Sequence, residues 1–158
     1  MWRQNNLKRN ERRESENSTV KKSELLQELK RNVTEHEWEL LRSGSTELII
    51  GEFNRRKMLE LADGGAGDEE VSAETLAQLH RTLQAYLDQY MADRPQGHKW
   101  IILVSIYQAF VRGEPMHPEE LVGIRRTEKN GRIVYECPAM EIGENSVCGF
   151  CVCSRDRG

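Results

Sequence analysis

The stretch His98-Lys99-Trp100-Ile101-Ile102-Leu103-Val104-Ser105-Ile106-Tyr107-Gln108-Ala109-Phe110-Val111-Arg112 decides the fold. Its apolar residues fall on nearly every face of a helical wheel, leaving no polar stripe of useful width. A strand over Ile101 to Ile106 fits the short apolar run. The length of the segment and the Gly113 and Pro115 that stop it favour a helix buried at the centre of the molecule. Trp100, Ile101, Leu103, Val104, Tyr107 and Phe110 are expected inside.

Working back from that segment, Leu76, Leu79, Leu83, Tyr86, Leu87, Tyr90 and Met91 keep the i, i+3, i+4, i+7 spacing of an amphipathic helix. Ser72 stands at its cap and Arg94-Pro95 breaks it. Gly64-Gly65-Ala66-Gly67 ends an earlier helix, read over about 46–62 from Leu48, Ile49, Ile50, Phe53, Met58, Leu59 and Leu61. Before it, Thr34-Glu35-His36-Glu37 has the form of a capping box, with Val33 and Trp38 placed as its hydrophobic staple. That box starts a helix over 35–42, ended by Ser43-Gly44-Ser45. Val20, Leu25, Leu26, Leu29 and Val33 place one more helix between Ser18 and Asn32. About five helices are thus expected over residues 18–112, with no internal repeat.

Past Pro115 the pattern changes. Val122, Ile124, Ile133 and Tyr135 flank Lys129-Asn130-Gly131, and Asn-Gly between apolar runs signals a tight β-hairpin. All four cysteines follow: Cys137, Cys148, Cys151 and Cys153. The expected fold is mainly α. A bundle-like body over 18–114 carries a small appendix over 115–158, made of a C-terminal β-hairpin and cysteine knuckle, and residues 1–17 form a basic N-terminal arm.

The chain has 158 residues, a size that supports one conventional core without covalent staples. Its net charge of −3 argues against nucleic acid bound through phosphates. Residues 1–22 carry seven basic groups against three acidic ones, an arm of +4 that reads first as a solvated tail. In the appendix Arg125, Arg126, Lys129, Arg132, Arg155 and Arg157 are nearly balanced by Glu128, Glu136, Glu141, Glu144 and Asp156. No apolar run approaches the roughly 18 residues of a membrane span. The basic beginning lacks the apolar core of a signal peptide. The expected location is therefore cytoplasmic, and Asn17-Ser18-Thr19 and Asn32-Val33-Thr34 read as chance matches to the glycosylation sequon.

The chemistry concentrates at the cysteines. Cys148 and Cys151, with a two-residue gap in which Gly149 permits a tight turn, can reach one metal ion. Cys137 ends the hairpin, where zinc ribbons place their other ligands. Three thiolates with His117 or Cys153 as the fourth donor would close a tetrahedral zinc site, and a small appendix with little core of its own gains from such a staple. Cys151 and Cys153 project to opposite sides if the chain is extended there, which favours His117. Iron–sulfur ligation suits the donors but lacks ferredoxin-like spacing. Disulfides are the competing use of the thiols. His36 and His80 read as solvated, and His98 as a turn or capping residue. No nucleophile elbow, phosphate loop or zincin motif is present.

Gly113-Glu114-Pro115-Met116-His117-Pro118, Tyr135-Glu136-Cys137-Pro138 and Cys148-Gly149-Phe150-Cys151 together resemble a family of uncharacterised archaeal, largely methanogen, proteins, domain of unknown function 2115. The likeness covers about 98–153. It implies an archaeal cytosol and a mostly helical fold, raises His117 as a ligand beside Cys137, Cys148 and Cys151, and leaves Cys153 unplaced. It implies no activity. Two functional expectations follow: a non-enzymatic module with a structural metal and a protein partner, or a thiol- or metal-dependent enzyme or redox carrier.

Overall fold

The computed structural model describes residues 18–140 and 146–156. The basic arm over 1–17, Glu141 and Glu144 of the charge balance, and Arg157 lie outside the described residues.

The chain enters as a three-residue strand, β1 (Thr19–Lys21), which pairs antiparallel with β2 (Glu70–Ser72). This pair is not legible in the sequence. Three-residue strands carry too little alternation to register, and the spacing of Val20 fits the helix that follows. Helix α1 (Lys22–Arg31) comes next, then α2 (Glu35–Ser43). The capping box is formed in full: the Glu37 N–H donates to Thr34 Oγ1 at 3.1 Å, and the Thr34 N–H donates to Glu37 Oε1 at 2.9 Å. Val33 and Trp38, the staple pair, are both buried.

Helix α3 (Glu52–Asp63) starts later than its apolar pattern suggests. Leu48 to Ile50 lie in a loop, and the helix starts only after Gly51, whose extended backbone forms its N-cap. Arg55 on α3 reaches back to α2, its Nε and Nη2 donating to the Leu41 carbonyl at 3.0 and 2.9 Å. Helix α4 (Ala73–Tyr90) starts where the sequence places it, with the Thr75 N–H donating to Ser72 Oγ. Leu79, Leu83 and Leu87 form its buried stripe.

The decisive segment is helical, as expected, but in two parts. It begins as α5 (His98–Ile106) and widens into a π-helical turn over Tyr107–Arg112, ended by Gly113 at φ 61°. Helix α5 packs against α3 and α4, and the π turn packs against α1. Trp100, Leu103, Val104 and Tyr107 are buried, whereas Ile101 and Phe110 are only partly so. The π turn explains Phe110, because an added residue per turn rotates the following side chains off the inner face. His98 is buried, not merely a turn residue: its Nε2–H donates to the Met91 carbonyl at 2.7 Å and ties α5 to the end of α4. His36 and His80 are exposed.

After Pro118 comes a short helix, α6 (Glu119–Val122), and then the hairpin of β3 (Arg125–Lys129) and β4 (Arg132–Glu136). Asn130 and Gly131 both have positive φ, 54° and 77°, as a type I′ turn requires. Val122 belongs to α6 and not to the strand. Ile124 packs beside the cysteines and not against the body helices. After a 3-10 turn (Val147–Phe150) the last element is α7 (Val152–Arg155).

Leu103 is 5% exposed at the centre of this packing. Leu103→Ala should cost about 2–5 kcal/mol in chemical denaturation, a core-cavity value. At Gly131 a side chain meets no neighbour, so its substitution is strained by φ alone. Gly131→Val should destabilise the hairpin by about 1 kcal/mol or more, read as faster amide exchange over residues 125–136 with the body unchanged.

Candidate functional site

Among the described residues, two buried clusters organise the chain. The larger belongs to the helices and includes Met116. The smaller consists of Tyr135, Val152 and Cys153, with Ile124, Cys137, Met140 and Cys151 packed on it. Cys151 also touches the larger cluster, so the thiols lie at the seam between the two.

A small cavity opens at that seam, with a volume of about 20 Å³. That is room for a single water-sized sphere. All four cysteines line it, together with His117. The structure therefore brings every candidate ligand to one place. The rest of the wall is Met116, Ile124, Met140 and Val147, and it presents almost no polar surface.

The geometry within the cavity differs from a closed tetrahedron. Among the described residues, no three His, Cys, Asp or Glu side chains are grouped closely enough to hold a metal ion. All four cysteines are free thiols. Cys153 is buried on α7, while His117 is largely exposed. The extended chain that would put Cys151 and Cys153 on opposite sides does not form. Cys151 keeps an extended backbone as the N-cap of α7, and the chain turns helical at Val152. After the turn Cys151 packs on the small cluster that holds Cys153, and both line the cavity. Burial pushes the Cys153 thiol up, and the nearby sulfurs of Cys151 and Cys137 push it further in the same direction.

Two hydrogen-bonded anchors hold the cavity walls. Gln108, buried in the π turn, donates from Nε2 to the Pro115 carbonyl at 2.9 Å, and the Glu114 N–H donates to the Gln108 carbonyl at 2.9 Å. These bonds set the chain direction at Met116 and His117. On the other side, the covered carboxylate of Asp156 accepts from Arg132 and Arg155 and, at 2.9 Å, from the Tyr135 N–H. It thereby fastens α7 to β4. Burial alone would raise the Asp156 pKa, but the hydrogen bonds from Arg155, the Tyr135 amide and Arg132 hold the carboxyl below its ordinary value. Arg132 and Arg155, part of a basic patch in the sequence, are committed to this clamp.

Sequence reasoning missed Met116, Met140 and Asp156. Methionine reads as core filling in any pattern. Asp156 is one charge among several in a charged tail, and its buried position depends on a hairpin about 20 residues upstream folding beneath it.

The family to which this fold and cysteine arrangement belong is described as an uncharacterized protein conserved in archaea, domain of unknown function 2115, whose model matches residues 4–156. The chain belongs to that family. It is similar to a UPF0305 protein of Methanocaldococcus jannaschii, 31% identical over 90 residues. That alignment covers 54% of each chain, so the chain spans about half the length of the curated relative it matches. No solved structure matches.

Because the Asp156 pKa is lowered on folding, its contribution to stability is present above the carboxyl range of the unfolded chain and is lost as pH falls through the folded value. Asp156→Ala leaves the Tyr135 N–H without this partner and should cost about 1–3 kcal/mol. Amide exchange should show the loss at β4 and α7 and not in α4 or α5. In the variant the acid sensitivity of this region should be reduced.

Proposed function

We propose that the C-terminal element is a thiophilic metal-binding module in which the metal has a structural role. The observation that carries this reading is the small cavity lined by Cys137, Cys148, Cys151, Cys153 and His117. The donor chemistry fits a soft or borderline cation. The need is physical as well. The elements around the cavity are a two-stranded hairpin and four-residue helices, which bury little apolar surface of their own. A tetrahedral zinc form of the reading, on Cys137, Cys148, Cys151 and His117 or Cys153, requires the walls to draw further together when the ion enters.

Among the described residues the body carries no second constellation of this kind, and we read it as a non-enzymatic protein-contact scaffold. Tyr86 and Tyr90 on α4 pair with ring centroids 4.7 Å apart and planes tilted by 44°, and both remain exposed. The alternative of a thiol redox carrier is disfavoured at Cys153, because reactive cysteines have lowered pKa values and accessible sulfurs, and this one has neither.

Protein produced without affinity metals or chelators should contain one thiophilic metal per chain by elemental analysis. Its removal should accelerate amide exchange over residues 115–156 and leave α1 to α5 protected. Metal-free protein that takes up neither zinc nor copper under reducing conditions would sink the reading.

A further inference from the structure

The cavity wall holds more sulfur than the cysteine pattern announces. Beside four thiols it carries the Met116 and Met140 side chains, and among the described residues no Asp or Glu lines it. Met116 is buried and Met140 is half-buried against the cysteine cluster. Thiolate and thioether donors in an apolar pocket select soft ions, and a thioether contributes little to Zn2+ or to harder cations. The number of donors points the same way. Structural zinc takes four ligands, whereas no three His, Cys, Asp or Glu side chains are grouped for a metal among the described residues. Cys151 and Cys153 nevertheless pack in one small cluster and line the same cavity, a pair that a low-coordinate soft ion can use.

We infer that the cavity takes a soft monovalent cation of the Cu(I) class, held between the Cys151 and Cys153 sulfurs with a methionine thioether from Met116 or Met140 closing the pocket. This rests on the metal-binding reading above and narrows it. Binding replaces the two thiol protons, which leave to solvent, with two metal–sulfur bonds, and no electron changes hands. His117, largely exposed, is not a ligand in this arrangement.

The test is a titration of the reduced full-length chain with Cu(I) under anaerobic conditions, against a chromophoric Cu(I) chelator, with a parallel Zn2+ titration. One Cu(I) per chain is expected. Cys151→Ser should weaken Cu(I) binding by about tenfold or more. The double variant Met116→Leu/Met140→Leu should also weaken it while leaving Zn2+ uptake unchanged, and His117→Ala should leave Cu(I) affinity unchanged. Leucine keeps the methionine volume, so the double variant stays informative even if a cysteine variant misfolds. A Cu(I) affinity indifferent to both methionines overturns this inference and leaves the metal-binding reading standing. The inference is equally overturned if zinc is retained against one equivalent of Cu(I), or if Cu(I) affinity depends on His117. If neither ion binds, both readings fall.

Discussion

Helix α5 has no face that can be left in water. Trp100, Ile102, Leu103, Val104 and Ile106 lie all round it and are all buried, so other elements have to cover it from every side. Helices α3 and α4 do so with Met58, Leu61, Leu79, Leu83 and Leu87, and α1 covers its continuation, the π turn. Transfer of this surface from water is the dominant favourable term, worth about 25 cal/mol per Å² of apolar area. Helices α1, α3 and α4 turn their apolar stripes towards this one segment, and α2 packs on α3. The same constraint reaches the cysteines. The π turn leaves Gln108 buried and bonded to the Pro115 carbonyl, and Gly113 in the left-handed region redirects the chain so that Met116 arrives at the thiol cavity.

How much of this is legible in the sequence follows from which residues carry local information. Thr34, Glu37, Ser72 and Asn130-Gly131 act within about four positions of themselves, through one cap, one box or one turn, and all behave as their types dictate. Leu48, Ile49 and Ile50 show the reverse case. Their apolar run resembles helix, but Gly51 and the packing of α3 decide that it is loop. The π turn is a further instance. Nothing in Tyr107-Gln108-Ala109-Phe110 distinguishes it from ordinary helix, since its cause lies in where the chain must go next.

At the site the sequence groups the right residues and misleads about their arrangement. The spacing of Cys137, Cys148 and Cys151 announces a common location, and they do share one cavity. Spacing does not encode the backbone between Cys151 and Cys153. The helical turn at Val152 places Cys153 inside and beside its neighbour, contrary to what an extended chain would do. Met116, Met140 and Asp156 are beyond reach for a different reason. Each gains its role only through contacts made across long sequence separations.

The division of the core explains why the chemistry sits where it does. Among the described residues, eighteen buried side chains form the larger cluster, whereas three form the smaller one. The body's cluster is large enough to define one arrangement by packing alone. Tyr135, Val152 and Cys153 cannot do the same for a hairpin whose first strand is exposed along its whole length. Directional interactions therefore carry more of the load there. The Asp156 clamp joins α7 to β4, and its charge is stabilised by two arginines and one amide. The Gln108 anchor fixes the opposite wall. Neither spans the cavity, which is left as a weakly packed point between the two anchored walls. A soft ion bound there by the sulfurs would tie α7 to itself through Cys151 and Cys153, and a thioether from Met116 on the same ion would tie it to the helical body. Such an ion would stabilise the C-terminal element most and the body least, because only the former lacks packing of its own.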